Sequence, residues 1–314
     1  MTATETTTAP SSAPGLPWRG KLAVVLLVIL AIVVVLVSNR LLTDRYTADT
    51  RSRAEVRLAL YTGNLMAELQ RTSVVPLLLA SDPDLRKALK DGNFSATSAK
   101  LIALQGELGV ASIRLVDADG RVVGATNRNV LGTNLRNEIS FVAAQRAKDT
   151  VFSPVKREAG GFDFLYSRVV MVDAKPLGVI IVSVDLMKYE RAWTGLLDAI
   201  MVTDSEGTVV LSTEPRWRGL PMAEALALRD PPSALARALR VTAEWTQDPP
   251  DAYVRGEAVM KTESRVPFRG WRIATFTAYG SVREQVNGIL ALEIMGFAIL
   301  MAFTFYLLSR RAWS

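Results

Sequence analysis

Two pairs of acidic residues have the type and spacing that could bind a metal ion. Asp117 and Asp119 form the first pair, Asp204 and Glu206 form the second, and a glycine follows each pair. Carboxylate oxygens are ligands for Ca²⁺, but the spacing of an EF-hand loop is absent. An Asp-x-x-Gly string is typical of a tight turn, in which the carboxylate accepts from amides and the glycine adopts a positive φ. We therefore interpret both pairs as hairpin turns and predict no metal site.

Catalytic chemistry is restricted because the 314 residues include no cysteine and no histidine. Their absence removes disulfides, thiolate metal sites, Cys nucleophiles, the commonest general base and the phosphoacceptor of a histidine kinase. The sequence also has no G-x-S-x-G elbow and no ATP-binding glycine motif, so we predict no enzyme activity and no cofactor in this chain. An outer-face hydrolase is accordingly the least favoured function. The net charge of +6 comes from scattered Lys and Arg, which indicates no nucleic-acid partner.

A repeat with an offset of 87 residues organises the middle of the chain. Residues 113–126 read IRLVDADGRVVGAT, and residues 200–213 read IMVTDSEGTVVLST. Each copy predicts a strand, a turn and a second strand, so the repeat indicates two related modules in tandem, each with a five-stranded antiparallel sheet and helices. Further helices are predicted near 83–90, 94–107, 138–147 and 233–240, and further strands near 151–155, 162–172, 177–185, 254–262 and 271–278.

Two apolar stretches are long enough to cross a bilayer. Residues 22–37 contain no charge and no proline, and the second stretch runs over residues 289–308. A cleaved signal peptide is the alternative for the first stretch, but no small-x-small cleavage site follows it. Basic residues flank the two stretches on their outer sides: Arg19, Lys21, Arg310 and Arg311. This charge distribution predicts both termini in the cytoplasm and residues 39–286 outside it.

A long helix is predicted to continue beyond the first apolar stretch. Between Leu41 and Leu79 the only glycine is Gly63, no proline precedes Pro76, and apolar residues recur on one helix face. We interpret this helix as a stalk that also packs against the folded domain. The predicted organisation is a disordered cytoplasmic tail (1–20), a transmembrane helix (21–39), the long helix (40–80), a membrane-distal module (81–190), a membrane-proximal module (191–285), a second transmembrane helix (286–309) and a short cytoplasmic tail (310–314).

Several segments resemble a known family. They are the hairpin at 113–126, VVPLLLASDPDLRKAL (74–89), LGVIIVSVDLMKYERAW (177–193), IMVTDSEGTVVLSTEPRWRG (200–219) and GWRIATFTAYGSVRE (270–284). Over about residues 45–285 the chain resembles the double Cache sensor region, made of tandem PAS-like modules, of membrane histidine kinases, especially the C4-dicarboxylate-sensing (DctB-type) kinases. The resemblance implies an α+β fold between two transmembrane helices, a place in the bacterial inner membrane, and binding of a small organic acid by the membrane-distal module.

The resemblance places the ligand pocket around residues 125–141 and strands 162–185. Where the family pattern has a tyrosine, an arginine and a basic residue, this chain has Leu135, Glu138 and Ser183. A remaining arginine could pair with a ligand carboxylate, and hydroxyl groups could hydrogen-bond it. Glu138 instead favours a cationic or amine ligand, which is the alternative. The candidate ligand-binding residues are Arg136, Ser140, Tyr166, Ser167, Arg168 and Ser183.

Two functions remain open on the sequence alone. The first is a sensing input, in which a ligand moves one span against the other and a cytoplasmic kinase or a membrane partner responds. It predicts a homodimer through a helical bundle along residues 40–75. The alternative is a scaffold that binds no ligand. Because the sequence ends at Ser314, soon after the second apolar stretch, we expect either a piece of a sensor kinase or a free-standing sensory protein.

Overall fold

The computed structural model of the protein describes residues 18–158, 160–194, 196, 198–228 and 251–312. Most of the tail predicted at 1–20, and all of the helix predicted at 233–240, lie outside the described residues. The chain divides into two compact units, one of Met1–Thr50 with Tyr279–Ser314 and the other of Arg51–Ala278.

The described residues include three elements that the sequence analysis did not predict, which are α6, α7 and β8 below. The α-helices are α1 (Trp18–Ser73), α2 (Val75–Ala80), α3 (Pro83–Asp91), α4 (Thr97–Leu108), α5 (Ile139–Arg146), α6 (Met187–Thr194), α7 (Met222–Ala227) and α8 (Gly280–Ala312). The strands are β1 (Ser112–Asp117), β2 (Val122–Ala125), β3 (Val151–Lys156), β4 (Phe162–Val172), β5 (Lys175–Val184), β6 (Ala199–Thr203), β7 (Val209–Ser212), β8 (Ala252–Val254), β9 (Glu257–Arg265) and β10 (Arg272–Ala278).

Within the first unit, α1 and α8 each contain a stretch that is long and apolar enough to cross a membrane. The mean hydropathy of the most apolar window is 2.8 in α1 and 2.1 in α8, and neither window has a buried position. A helix whose apolar side chains are exposed all round is suited to a lipid surrounding. The Ser38 hydroxyl donates to the Glu293 carboxylate over 2.6 Å and joins the two helices.

The second unit contains two sheets with the same topology. The strand order is β2-β1-β5-β4-β3 in the first sheet and β7-β6-β10-β9-β8 in the second, and every strand pair is antiparallel. Helices α2, α4 and α5 pack on the first sheet. The predicted α+β class, with a long N-terminal helix and two five-stranded modules, is confirmed.

The repeat is preserved in its hydrogen bonds. The Asp117 carboxylate accepts from the amides of Asp119 and Arg121 at 3.0 and 2.8 Å. The carboxylate of Asp204, 87 residues later, accepts from two turn amides at 2.9 Å, and the glycines of the two turns have φ of 87° and 84°. Both carboxylates therefore hold turn amides, as the Asp-x-x-Gly pattern predicts.

One predicted strand of the second module is wrong. Residues 254–262 were expected to form a single strand, but β8 ends at Val254 and β9 begins at Glu257. The chain reverses through Arg255 and Gly256, whose φ values of 50° and 80° allow a two-residue hairpin turn. The apolar alternation on either side of this turn hides the break, and Gly256 is its one local signal.

A shared core joins the two modules. Leu58, Leu65 and Leu69 of α1 are buried in one cluster with residues of both sheets. From the first module this cluster takes Phe152, Phe164, Tyr166 and Val184, and from the second Ile200, Val202, Val210, Leu211, Trp271 and Ile273. Helix α1 therefore packs as part of the core of the second unit, which is one of the two roles predicted for it.

Candidate ligand-binding site

The two faces of the first sheet are covered by different helices. Alternate residues of a strand point to opposite faces. The face toward α5, called the α5 face below, buries Val116, Val122, Ala125, Phe141, Ala144, Leu165, Val179 and Ile181. The opposite face buries Ile113, Leu115, Val170, Ile180 and Val182 together with residues of α2, α3 and α4.

A charged pair lies on the α5 face. Arg114 of β1 stands opposite Ala125 and Ile181 in the sheet, so its side chain shares their face. Its Nη1 is 3.9 Å from Oε2 of Glu138, the residue that precedes α5. The two side chains are 19% and 23% exposed. A guanidinium and a carboxylate that are partly open to solvent can each bind an oppositely charged group of a small molecule.

Serine residues on the same face fix the position of Glu138. The Ser140 hydroxyl, in the first turn of α5, donates to Oε1 of Glu138 over 3.1 Å. The Ser167 hydroxyl of β4 donates to the carbonyl oxygen of Ser140 over 2.8 Å, and both serines are fully buried. Ser183 of β5 is half-buried and stands opposite Leu165, which places it on this face too. The start of α5 is thus tied to β4, and one Glu138 oxygen is oriented.

The other three predicted site residues lie elsewhere. Tyr166 and Arg168 alternate with Ser167 and so point away from the α5 face. Tyr166 is buried against Phe152, and this burial raises the pKa of its phenol. The Arg168 guanidinium is 3.6 Å from the Asp149 carboxylate. Arg136 is exposed in the loop before α5.

Arg114 is the residue of this face that the sequence analysis missed. It lies in a strand whose residues Ile113, Leu115 and Val116 are fully buried. A charged residue within such an apolar strand is an available signal, since a buried strand seldom carries an arginine without a partner. The resemblance places the pocket in the later loop and strands, whereas β1 belongs to the hairpin at residues 113–126.

The strand that carries Ser183 continues directly into α6, and α6 contacts α1. Lys188 Nζ is 2.9 Å from Oε1 of Glu68 on α1, and the Tyr189 hydroxyl donates to the Asn64 carbonyl oxygen over 3.3 Å. The Trp193 ring lies 5.9 Å from the ring of Tyr61. The end of β5 is therefore linked to the long helix by polar and aromatic contacts.

Glu190 of α6 points instead to the second module. Its Oε1 accepts from the Ser212 amide over 2.9 Å, and its Oε2 lies 2.9 Å from Arg218 Nη2. Burial raises the pKa of the Glu190 carboxyl despite these partners. Helix α6 thus contacts both the long helix and the second sheet. A shift of β5 would therefore be transmitted through α6 to α1 or to the second module.

Comparisons with known proteins agree with the resemblance. No family model matches the chain. The chain is 24% identical over 277 residues to the C4-dicarboxylate transport sensor protein DctB of Pseudomonas aeruginosa, a match that covers 85% of this chain and 44% of the relative. The chain therefore corresponds to less than half the length of that curated relative.

Solved structures show the same fold. The sensor domain of the V. cholerae histidine kinase DctB has a TM-score of 0.55 at 19% identity, covering 74% of this chain and 98% of that domain. The ligand-binding domain of the Pseudomonas aeruginosa amino acid chemoreceptor PctB, in complex with L-Arg, has a TM-score of 0.53 at 14% identity, and the match covers 74% of this chain and 96% of that domain. The predicted resemblance to DctB-type sensor regions is confirmed.

Proposed function

We propose that this chain senses a small charged molecule outside the cytoplasm and passes the signal to a partner through its two apolar helices. The observation that carries the proposal is the partly open Arg114–Glu138 pair on the α5 face, on the sheet that leads through β5 to α6. The similarity to a protein named as a C4-dicarboxylate transport sensor, and to a chemoreceptor domain that holds L-Arg, supports a small ligand.

The proposed topology follows from flanking charge. Arg19 and Lys21 precede the first apolar stretch, and Arg310 and Arg311 follow the second, so the positive-inside rule places both flanks in the cytoplasm. We propose that residues 39–286 lie in the periplasm of a bacterium, with the sensing module over 81–190 and the second module over 191–285. The partner would be a histidine kinase of a two-component system, on the same polypeptide or separate, or another membrane protein.

Ligand binding is expected to raise the thermal stability of the full chain in lipid nanodiscs. A ligand at a hundred times its dissociation constant adds about 2.7 kcal/mol to the free energy of unfolding. We would measure the unfolding midpoint against small carboxylates, amino acids and amines. Arg114→Met should remove the shift caused by any carboxylate ligand, whereas Arg136→Met, at an exposed arginine of the nearby loop, should leave it unchanged.

A well-folded protein whose midpoint moves with no compound of the panel would contradict sensing by this site. That result would favour the alternative, a scaffold that holds another membrane protein. A carboxylate-induced shift that survives in Arg114→Met would place the ligand away from the Arg114–Glu138 pair.

We also propose a parallel homodimer through α1. An exposed stripe with alternating spacings of four and three residues runs along the helix, away from its buried face: Val56, Leu60, Gly63 and Ala67. This spacing is that of a coiled-coil seam, and Gly63 and Ala67 leave room for a second helix backbone. A second copy of the chain presents the same stripe, so a two-fold axis along α1 would cover both.

Leu60→Glu is expected to weaken this dimer at least about tenfold, equivalent to about 1.4 kcal/mol. The side chain is 62% exposed in the single chain, so the folded monomer should tolerate the change. Two like charges would face each other across the seam of the dimer. Sedimentation velocity of the detergent-solubilised chain measures the effect, with Asn64→Glu beside the stripe as the matched control. Equal dimerisation of the wild type and Leu60→Glu would rule out this interface.

A further inference from the structure

We propose that a cleft between α3 and α4 of the first module binds a neutral, hydroxyl-rich small molecule, such as a monosaccharide or a short polyol. We call it the α3–α4 cleft. Both helices pack on the face of the first sheet opposite the α5 face. The proposal is therefore independent of the Arg114–Glu138 pair and adds a second site to the chain.

The first support is the cleft itself. Its volume is about 300 Å³, at the lower end of the range for small-molecule sites, so a small ligand fits it. The lining comes from α3, from the loop after α3 and from the start of α4. Its polar side chains include Asp84, Lys87, Asp91, Asn93, Thr97 and Lys100.

The second support is the hydroxyl of Thr97. Thr97 lines the cleft and is 5% exposed. Its methyl carbon lies 2.5 Å from the position that a Cβ on Gly124 of β2 would occupy, so the methyl group packs directly on that glycine. The hydroxyl is on the other branch of the side chain, and it has no hydrogen-bond partner among the described residues. Because a nearly buried polar group without a partner is unfavourable, a ligand oxygen that pairs with it would stabilise the folded protein.

The third support is the start of α4. This helix has 12 residues and begins at Thr97, and the preceding Ala96 provides no side chain that could cap it. Amides in the first turn of a helix have no acceptor within that helix. Since Ser95, Ala96 and Thr97 line the cleft, these donors lie at its wall. Together with the Thr97 hydroxyl, they can hold the oxygen atoms of a ligand.

The charges of the lining favour a neutral ligand. Lys100 Nζ lies 2.7 Å from Oδ1 of Asp82 and 2.6 Å from Oδ2 of Asp84, so its charge is already compensated. The two other charged residues of the lining, Lys87 and Asp91, have opposite signs. An anion would be repelled by the aspartates, and a cation by the lysines and the positive end of α4. Hydroxyl groups can donate to the carboxylates and accept from the lysines without either penalty.

Occupation of the cleft would also affect the first sheet. The Ser98 hydroxyl accepts from the Ala125 amide over 3.2 Å, and Thr97 packs on Gly124, so the start of α4 is tied to β2. Ala125 stands opposite Arg114 in the sheet. A ligand that restrains the start of α4 would therefore restrain the strand beside Arg114. This consequence, a second input to sensing, rests on the proposed function, whereas the binding itself does not.

The test is a titration of the full chain in nanodiscs, followed by ligand-observed NMR. The neutral probes are D-glucose, D-galactose, D-ribose and D-glucitol. The charged probes are gluconate and glucamine, which carry one charge on the carbon chain of glucitol. We expect a neutral probe to bind, and both charged probes to bind at least about tenfold more weakly than glucitol.

Thr97→Val is expected to weaken binding about tenfold, because valine keeps a methyl group on Gly124 and removes the hydroxyl. Thr97→Ser, which keeps the hydroxyl, is the matched control and should retain binding. Circular dichroism and the ligand-free unfolding midpoint check that both variants fold.

Three results would overturn the assignment. They are no binding of any neutral probe to the wild type, equal binding to the wild type and Thr97→Val, and tighter binding of gluconate or glucamine than of glucitol. None of them concerns the stability shift that Arg114→Met should remove, so the proposed function stands or fails separately.

Discussion

Replacement of Trp271 by alanine is expected to lower the free energy of unfolding by about 3–5 kcal/mol, the usual cost of truncating a buried aromatic side chain. Trp271 is 3% exposed and belongs to the second module. Its ring lies 5.8 Å from Phe152 and 5.6 Å from Phe164, both of the first module, and 5.2 Å from Phe268. The substitution would therefore leave a cavity at the contact between the modules and loosen their coupling.

Trp217→Ala separates this coupling from a general loss of stability. Trp217 is 1% exposed and packs on Phe276 inside the second module. Both variants should lose similar stability, but only Trp271→Ala should split chemical denaturation of the chain into two transitions that different probes detect separately. A single cooperative transition for Trp271→Ala, with a loss below about 1 kcal/mol, would show that this ring does not join the modules.

The duplicated hairpins were predictable because their chemistry is local. An Asp, a Gly and a Thr at fixed spacing specify a turn without help from the rest of the chain, and the Thr126 and Thr213 hydroxyls both accept from the first amide of their hairpins. The reversal at Arg255 was missed because a non-glycine residue with φ of 50° is uncommon, and the apolar pattern continues across it.

The candidate site was only partly predictable, and the reason is strand register. The side chains of Ser167 and Ser183 lie on the α5 face. Tyr166 and Arg168 are each one position away from Ser167 along β4, so their side chains lie on the opposite face of the sheet. A sequence window identifies a strand more readily than it identifies which face is covered by which helix. The Arg114–Glu138 pair joins residues of β1 and of the loop before α5, so only the folded sheet brings it together.

Removal of both cations around Glu68, in Arg71→Met with Lys188→Met, is expected to cost about 3–5 kcal/mol at pH 7, as for a buried charge that loses its ion-pair partners. Glu68 is 5% exposed on α1, and its Oε1 lies 2.8 Å from Arg71 and 2.9 Å from Lys188. Burial alone would raise the pKa of this carboxyl, but the hydrogen bonds and charges of the two cations outweigh it and lower the pKa. The wild-type contribution is therefore present above the unfolded pKa, about 4.3, and is lost as pH falls through the folded value.

The double variant should reverse that pH dependence. With the cations gone, burial dominates, so the pKa of Glu68 should rise above its unfolded value. The variant would then lose stability as pH rises from the unfolded pKa, about 4.3, through the raised folded value, and its deficit relative to the wild type should shrink on acidification. Urea denaturation at pH 4.5 and pH 7 measures this, and Glu68→Met added to the double variant should recover most of the loss at pH 7. A deficit that is equal at both pH values, or that the third substitution does not reduce, would mean that the cations stabilise the α1–α6 contact by packing rather than by compensating the buried carboxylate.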